Sequence, residues 1–224
     1  MTKASIEKLK ARVRKVIRSL KRAYPDAKCS LNHSSAFELL IATILSAQCT
    51  DARVNIVTQD LFRKYRKPED YLKVSPKELQ RDIRTTGFFR NKTTSIQGAA
   101  KVLHEQYGDE VPQTMDELLE LPGVARKTAN VVLGNAFGLS AGVVVDTHVT
   151  RLSHRLDLSR QKTAEKIEQD LIAIVPKKEW VMFPHLFIAH GRATCKARNP
   201  LCAECAVEKL CPSSYLKTGV MPGS

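Results

Sequence analysis

The sequence predicts an all-α protein, and three observations support that fold class. Apolar residues recur with the 3.6-residue period of a helix through most of the chain. Serine, threonine or aspartate precedes several of these segments, and glycine or proline follows them, as expected at helix ends. No segment shows the alternation of a half-buried strand, and the apolar runs at 143–145 and 172–175 are too short and isolated to build a sheet.

The first predicted element is an amphipathic helix over residues 3–24, which the Tyr24-Pro25 pair ends. One face carries an apolar stripe for a core, and the opposite face is strongly basic. The stripe consists of Ile6, Leu9, Val13, Ile17 and Leu20. The basic residues are Lys8, Arg12, Arg14, Lys15, Arg18, Lys21 and Arg22. Such a face is either solvated or in contact with phosphates, and the sequence leaves both interpretations open.

Capping residues place the later helices. Ser34 or Ser35 is expected to cap the second helix, and Asp51 the third. The predicted ranges are 36–48, 51–65, 76–84, 91–107, 147–156, 163–174 and 179–190, besides a helical hairpin at 114–138. Between two of these helices, Gly87 and Phe88 form a turn with an exposed aromatic ring.

The charge balance favours a polyanionic partner. The chain carries 36 Lys and Arg against 23 Asp and Glu, a formal net charge of +13. Basic side chains near phosphates release condensed counterions, so nucleic acid is the first candidate; a membrane surface or a merely solvated basic surface is the alternative. Neither a bilayer-spanning segment nor a secretory signal is visible, so we expect a cytoplasmic protein with no membrane partner.

Residues 114–138 predict a helical hairpin. Thr114 and Glu117 form a capping box for a short helix, Pro122-Gly123-Val124 make a tight turn, and a second helix runs from Ala125 to Phe137. A glycine turn that leads into a helix N-terminus exposes backbone N–H groups, which suit a phosphate. The alternative is an ordinary helical hairpin without a ligand.

Lys127 lies in the first turn of the second hairpin helix. The positive end of the helix dipole disfavours the ammonium form there. A neutral amine is the form that attacks a sugar carbon, so the position suits Schiff-base chemistry. A simple phosphate clamp is the competing interpretation for the same lysine.

Asp146 follows the apolar run of three valines and stands at the start of a predicted helix. The simplest role for this carboxylate is that of an N-cap. A catalytic role is the sharper hypothesis: near Lys127, the carboxylate would assist deprotonation of the nucleophile or stabilise positive charge that develops on deoxyribose.

Four of the six cysteines lie close together in sequence. Cys195, Cys202, Cys205 and Cys211 are separated by six, two and five residues. Such a set binds zinc or an iron–sulfur cluster, and the single compact array favours the cluster. Lys196 and Arg198 project from the six-residue loop as a basic finger for DNA. Cys29 and Cys49 are expected to be buried free thiols.

Together, these motifs resemble the endonuclease III family of DNA glycosylases. The matching segments are LSAQCTD at 45–51, LPGVARKTANVV at 121–132, VDTH at 145–148 and the cysteine array, and the likeness extends from about residue 3 to 215. The resemblance implies two helical lobes with a DNA cleft between them. One is a six-helix barrel with the hairpin at about 29–139. The other, at about 1–28 and 140–224, holds a [4Fe-4S] cluster.

The family's chemistry implies that Lys127 attacks C1′ of the damaged nucleotide and displaces the base, with Asp146 assisting, before β-elimination cuts the strand. The implied partner is double-stranded DNA that contains damaged pyrimidines or abasic sites, bound by a monomer at the bacterial nucleoid. Gln48 and Phe88 would fill the gap left by the extruded nucleotide. The remaining implied DNA contacts are Pro122, Gly123, Val124, Ala125 and Arg126.

Two departures from the family and two alternatives accompany this resemblance. Phe88 occupies a position where relatives often carry leucine, and Ala125 one where many have glycine; an already helical conformation at Ala125 would make alanine harmless. The first alternative is a mismatch glycosylase without lyase activity, which Lys127 disfavours. The second is a DNA-binding iron–sulfur protein without catalysis.

Overall fold

The computed structural model describes residues 3–139 and 141–220, and these residues form helices and loops without any β-strand. The all-α prediction is therefore confirmed. The helices are α1 Lys3–Ala23, α2 Ala36–Ser46, α3 Asp51–Lys64, α4 Pro68–Lys73, α5 Pro76–Asp82, α6 Phe89–Gln106, α7 Met115–Glu120, α8 Arg126–Phe137, α9 Thr147–Arg155, α10 Ala164–Ile174, α11 Met182–Ala193 and α12 Tyr215–Thr218. No helix in the described part of the chain combines the length and apolar composition that a membrane crossing requires.

Side-chain caps begin several of the helices. Ser35 caps α2, and Thr163 caps α10. The expected cap of α3 was wrong by one residue: Thr50 accepts the Arg53 N–H at 3.3 Å, and Asp51 lies in the first turn. Thr50 is the N-cap because its extended backbone (φ −73°, ψ 144°) lets its hydroxyl reach that N–H.

Two short helices, α4 and α12, were absent from the prediction. They contain six and four residues. Such lengths are too short for an apolar period to develop, so periodicity cannot reveal them. Pro68 at the first position of α4 was the available signal.

The chain divides into two compact units. The terminal unit consists of Met1–Lys28 and Gly142–Ser224, and the central unit consists of Cys29–Ala141. Each has its own hydrophobic core. In the terminal unit α1 packs against α10 and α11, and α9 packs against the same two helices. The rings of Phe183 and Phe187 lie at its centre, 4.0 Å apart.

The central unit is built around α2, whose sequence is apolar almost throughout and whose residues from Leu39 to Leu45 are all buried. Helices α3, α6 and α8 pack against it. Helices α4 and α5 cover α6, and α7 packs on α8. Because α6 and α8 both pack against α2, these three helices hold the loops at their ends in place.

Candidate active site

The predicted hairpin is present, and a type II turn joins its two helices. Thr114 caps α7: its hydroxyl accepts the Glu117 N–H at 3.3 Å and donates to the Glu117 carboxylate. The Val124 N–H then donates to the Leu121 carbonyl at 3.0 Å, and Gly123 has a φ of +79°. Proline followed by a residue of positive φ is the pattern of a type II turn.

The turn packs closely against α6, which fixes its position. A Cβ at Gly123 would lie 2.4 Å from Cβ of Ser95, and a Cβ at Gly98 would lie 3.0 Å from Cβ of Pro122. Glycine is therefore required at position 123 for two reasons: the positive φ, and the lack of space for a Cβ next to Ser95. The backbone of the turn is held against α6 at a site where no larger residue fits.

Helix α8 begins without a side-chain cap. Ala125 is its N-cap residue, with φ −95° and ψ 168° and no side-chain hydrogen bond. Arg126 and Lys127 follow in the first turn, both exposed, and no acidic residue accompanies them. An N-terminus with exposed basic residues and without a cap is suited to an anion.

The conformation expected at Ala125 was wrong in detail. The residue is extended rather than helical, because the turn places it one residue before the helix starts. Its φ is nevertheless negative, so alanine carries no backbone strain at this position. Alanine is therefore tolerated at position 125, as expected, but in an extended conformation rather than a helical one.

Helix α8 buries one face in the core of the central unit. Ala129, Val132 and Leu133 are buried, whereas Thr128 and Val131 are only half-buried. Lys127 is exposed and lies outside this buried set.

Asp146 is the N-cap of α9, as predicted. Val143 and Val145 are buried and carry the chain to the helix, and the half-buried Asp146 accepts the Val149 N–H through Oδ1 at 2.7 Å. The carboxylate is thus held in one orientation. Asp146 belongs to the terminal unit and Lys127 to the central unit, so their pairing stays a prediction.

Gln48 lies in a loop, whereas the sequence predicted it at the end of a helix. Helix α2 ends at Ser46, and the Cys49 N–H bonds to the Ser46 carbonyl at 3.0 Å. Gln48 is exposed and has a φ of +54°. A non-glycine residue in the left-handed region is uncommon and is often found at functional loops.

Phe88 has the same unusual backbone. Its φ is +46°, it follows Gly87 with a φ of +71°, and its side chain is 62% exposed. The expected exposed aromatic is therefore present. Helix α6 starts at Phe89 rather than at the predicted residue 91, so Phe88 sits directly at its N-terminal end.

Lys92 was missed by the sequence analysis. Its side chain is 4% exposed, and its Nζ donates to the carbonyl oxygens of Leu45 and Thr86, each at 2.8 Å. The available signal was its spacing: Lys92 occupies the same helical stripe as Ile96 and Leu103, which are buried. A lysine in an apolar stripe indicates a buried, hydrogen-bonded ammonium group.

The four clustered cysteines line one pocket of the terminal unit. Cys195, Cys202, Cys205 and Cys211 surround about 420 Å³ of space, part of it open to solvent, together with apolar residues such as Leu152. Burial, with the neighbouring cysteines as a smaller cause, raises the pKa of Cys205 to about 11. Burial also raises the pKa of Cys211. In the part of the chain that the structure describes, no three His, Cys, Asp or Glu side chains are grouped as around a single metal ion.

Arg155 braces the loop after Cys195. Its guanidinium donates to the Cys195 Sγ at 3.3 Å and to the carbonyls of Lys196 and Ala197 at 2.6 and 2.8 Å. The side chains of Lys196 and Arg198 are exposed on this loop, where the sequence placed them. A basic loop is thus fixed to the wall of the cysteine pocket.

The two remaining cysteines are free thiols, as predicted, but neither is fully buried. Cys29 and Cys49 both lie half-exposed at the edge of the central core. Each lies in a loop rather than inside a helix, so solvent reaches one side. Burial still raises the pKa of Cys29.

Comparison with known proteins agrees with this geometry. The family model of the HhH-GPD superfamily base excision DNA repair proteins matches residues 41–177. An endonuclease III from Synechocystis is 52% identical over 205 residues, which cover 92% of this chain and 94% of that protein. A solved structure of a non-covalent endonuclease III–DNA complex has a TM-score of 0.87 and 46% identity, and covers 94% of this chain and 99% of that one. A trapped covalent endonuclease III–DNA intermediate has a TM-score of 0.86 and 46% identity, and covers 93% and 98%.

The fold and the hairpin thus define a helix–hairpin–helix base excision DNA repair protein. Within that superfamily, the chain belongs to the endonuclease III family. It is accordingly a DNA glycosylase and abasic-site lyase of base excision repair.

Proposed function

We propose that this enzyme removes oxidised or ring-saturated pyrimidines from double-stranded DNA with Lys127 as its nucleophile. The observation that carries the proposal is the start of α8. An exposed lysine stands in the first turn of an uncapped helix, directly after a glycine turn that is held against α6. That arrangement offers backbone donors to a DNA phosphate and an amine beside it.

The proposed reaction proceeds in two steps. The Lys127 amine forms a bond to C1′ of the extruded nucleotide while the glycosidic bond breaks, and the base leaves with a proton. The C1′–O4′ bond of the sugar then breaks as O4′ takes a proton, which leaves a protonated imine between Lys127 and the opened sugar. This imine loses a proton from C2′, the bond from C3′ to the phosphate oxygen breaks, and water hydrolyses the imine to free the Lys127 amine. Asp146 accepts the proton from the Lys127 ammonium before attack or stabilises positive charge on the sugar.

Extrusion of the damaged nucleotide leaves a gap in the duplex, which we assign to Gln48 and Phe88. Both are exposed, and both have left-handed backbone conformations that present their side chains from loops of the same unit as Lys127. An aromatic side chain stacks against bases, and an amide pairs with the edge of an unpaired one. Phe88 in place of leucine is expected to influence which opposite base is tolerated.

The DNA backbone contacts are assigned to two basic or N–H-rich segments. The first is the hairpin turn with its following residues, Pro122 to Arg126. The second is the loop that carries Lys196 and Arg198, which Arg155 holds in place. Contacts to phosphate position the duplex and carry no base specificity. We further propose that the protein acts as a monomer and is associated with the nucleoid of a bacterium.

The cysteine pocket fits a [4Fe-4S] cluster, since four thiols line it and four thiolates are the donor set of such a cluster. Cys195, Cys202, Cys205 and Cys211 would each supply one thiolate. A cluster bound there would link the chain segments that carry the four cysteines. We assign it no step in base removal.

The iron and sulfide contents of the wild-type protein and of two cysteine variants test this assignment. The purified protein should be yellow-brown and contain about four iron atoms and four acid-labile sulfides per chain. Cys202→Ser should lower both contents and destabilise the terminal unit, whereas Cys29→Ser, a cysteine outside the pocket, should leave them unchanged. A colourless wild-type protein that contains zinc would refute the cluster.

A panel of lesion-containing duplexes tests the function itself. The panel should include oxidised pyrimidines, saturated pyrimidines, an oxidised purine and a thymine mismatch, each in otherwise identical DNA. We expect strand scission at the pyrimidine lesions and covalent trapping by borohydride on the same substrates. Base release at the thymine mismatch without strand scission would favour a mismatch glycosylase instead.

A further inference from the structure

One buried lysine of the central unit bonds to residues just before both of the loops that carry the gap-filling residues. The Lys92 Nζ donates to the carbonyls of Leu45 and Thr86, and its backbone N–H donates to the Phe88 carbonyl at 3.0 Å. Leu45 precedes Gln48 by three residues, and Thr86 precedes Phe88 by two. The ammonium group therefore links the base of one loop to the base of the other.

Packing alone does not account for a lysine at this position. The side chain is almost fully buried, and its hydrogen bonds go to carbonyl oxygens rather than to a carboxylate. Burial lowers the pKa of Lys92, since the charged form has lost its water. A methionine of similar length would avoid that desolvation cost. What the lysine adds is the link between the two carbonyls.

The Leu45 carbonyl lies in the last turn of α2, where carbonyl groups lack partners within the helix and the dipole is negative. Helix α2 has no basic residue of its own in that turn. Lys92 supplies the cation from the first turn of α6. Its side chain thereby fixes where α2 stops and where the Gln48 loop begins.

Both gap-filling residues have backbone conformations that need external support. Gln48 and Phe88 are left-handed, with φ values of +54° and +46°. Such conformations persist at non-glycine residues where the surroundings hold them in place. Thr86 contributes as well, since its hydroxyl bonds to the Ile83 carbonyl at 2.8 Å. Lys92 bonds to a carbonyl just before each of the two residues.

We infer that Lys92 is a positioning residue that holds the Gln48 and Phe88 loops at the separation needed to fill the gap left by an extruded nucleotide. It acts through these two residues and not on the reacting atoms. The inference rests on the proposed function, which assigns Gln48 and Phe88 to that gap.

Lys92→Met tests the inference, with Lys101→Met as the matched control because Lys101 lies on the same helix with a largely exposed side chain. One readout is the fluorescence of 2-aminopurine placed opposite an uncleavable abasic analogue, which increases when side chains enter the gap. We expect Lys92→Met to reduce this increase and to slow base release from duplex DNA about tenfold. Scission of a single-stranded abasic site, which has no opposite base, should change less than about twofold.

A double-mutant cycle separates positioning from general destabilisation. In a Gln48→Ala/Phe88→Ala background, Lys92→Met should have no further effect on base release, because the residues through which it acts are gone. Full additivity, or an equal loss on single-stranded and duplex DNA, would overturn the inference. Should Lys92→Met unfold, Lys92→Gln, which keeps an amide NH₂ group as a donor, is measured in the same cycle. A wild-type protein with no base release would instead contradict the proposed function, whereas an active wild type with an unaffected Lys92 variant contradicts only the inference.

Discussion

Lys127→Gln is expected to abolish covalent trapping by borohydride and to lower base release by at least about a thousandfold, the scale of losing a nucleophile. Glutamine has a similar reach but no basic amine, so no imine forms. Because Lys127 is exposed, the free energy of unfolding should change by no more than about 0.5 kcal/mol. Affinity for a duplex with an uncleavable abasic analogue should persist. The slope of the logarithm of the binding constant against the logarithm of the salt concentration should become smaller by about one.

Lys127→Arg decides between a nucleophile and a phosphate clamp. Arginine keeps the positive charge and stays protonated, so a clamp would survive and an imine would not form. We expect this variant to bind DNA like the wild type and to remain untrapped. Lys101→Gln, at an exposed position on α6, controls for the loss of a lysine elsewhere in the central unit. Trapping that persists in both Lys127 variants would place the nucleophile at another residue.

The parts of this site that depend on neighbouring residues could be predicted from the sequence. The Thr114 cap, the glycine turn at 123 and the Asp146 cap each follow from residue types a few positions apart. Glycine is required at 123 by backbone geometry, and aspartate is a preferred N-cap. Local chemistry of this kind is the same in any fold, so a single sequence reveals it.

The conformations of Gln48 and Phe88 could not be predicted in the same way. Apolar periodicity continues the second helix through Gln48, but the chain leaves the helix after Ser46. The contact that stabilises this earlier end comes from Lys92, which is far away in sequence. Interactions between distant segments override local preference there, and a single sequence does not show which segments meet.

Asp146→Asn separates the structural role of this residue from its catalytic role. Asparagine is as good an N-cap as aspartate, and its amide oxygen can accept the Val149 N–H that Oδ1 accepts in the native protein. The free energy of unfolding should therefore stay within about 0.5 kcal/mol of the wild-type value. Asp146→Ala, by contrast, should lose about 0.5–2 kcal/mol of stability with the cap.

If the carboxylate assists the reaction, Asp146→Asn should slow single-turnover base release by about 10²- to 10⁴-fold, because the amide neither accepts a proton nor stabilises positive charge on the sugar. Trapping on DNA that is already abasic should fall less, since no base has to leave. Such a pattern cannot come from the cap, because the cap is intact. Base release within about threefold of wild type would reduce Asp146 to a helix cap and would leave deprotonation of Lys127 to another group.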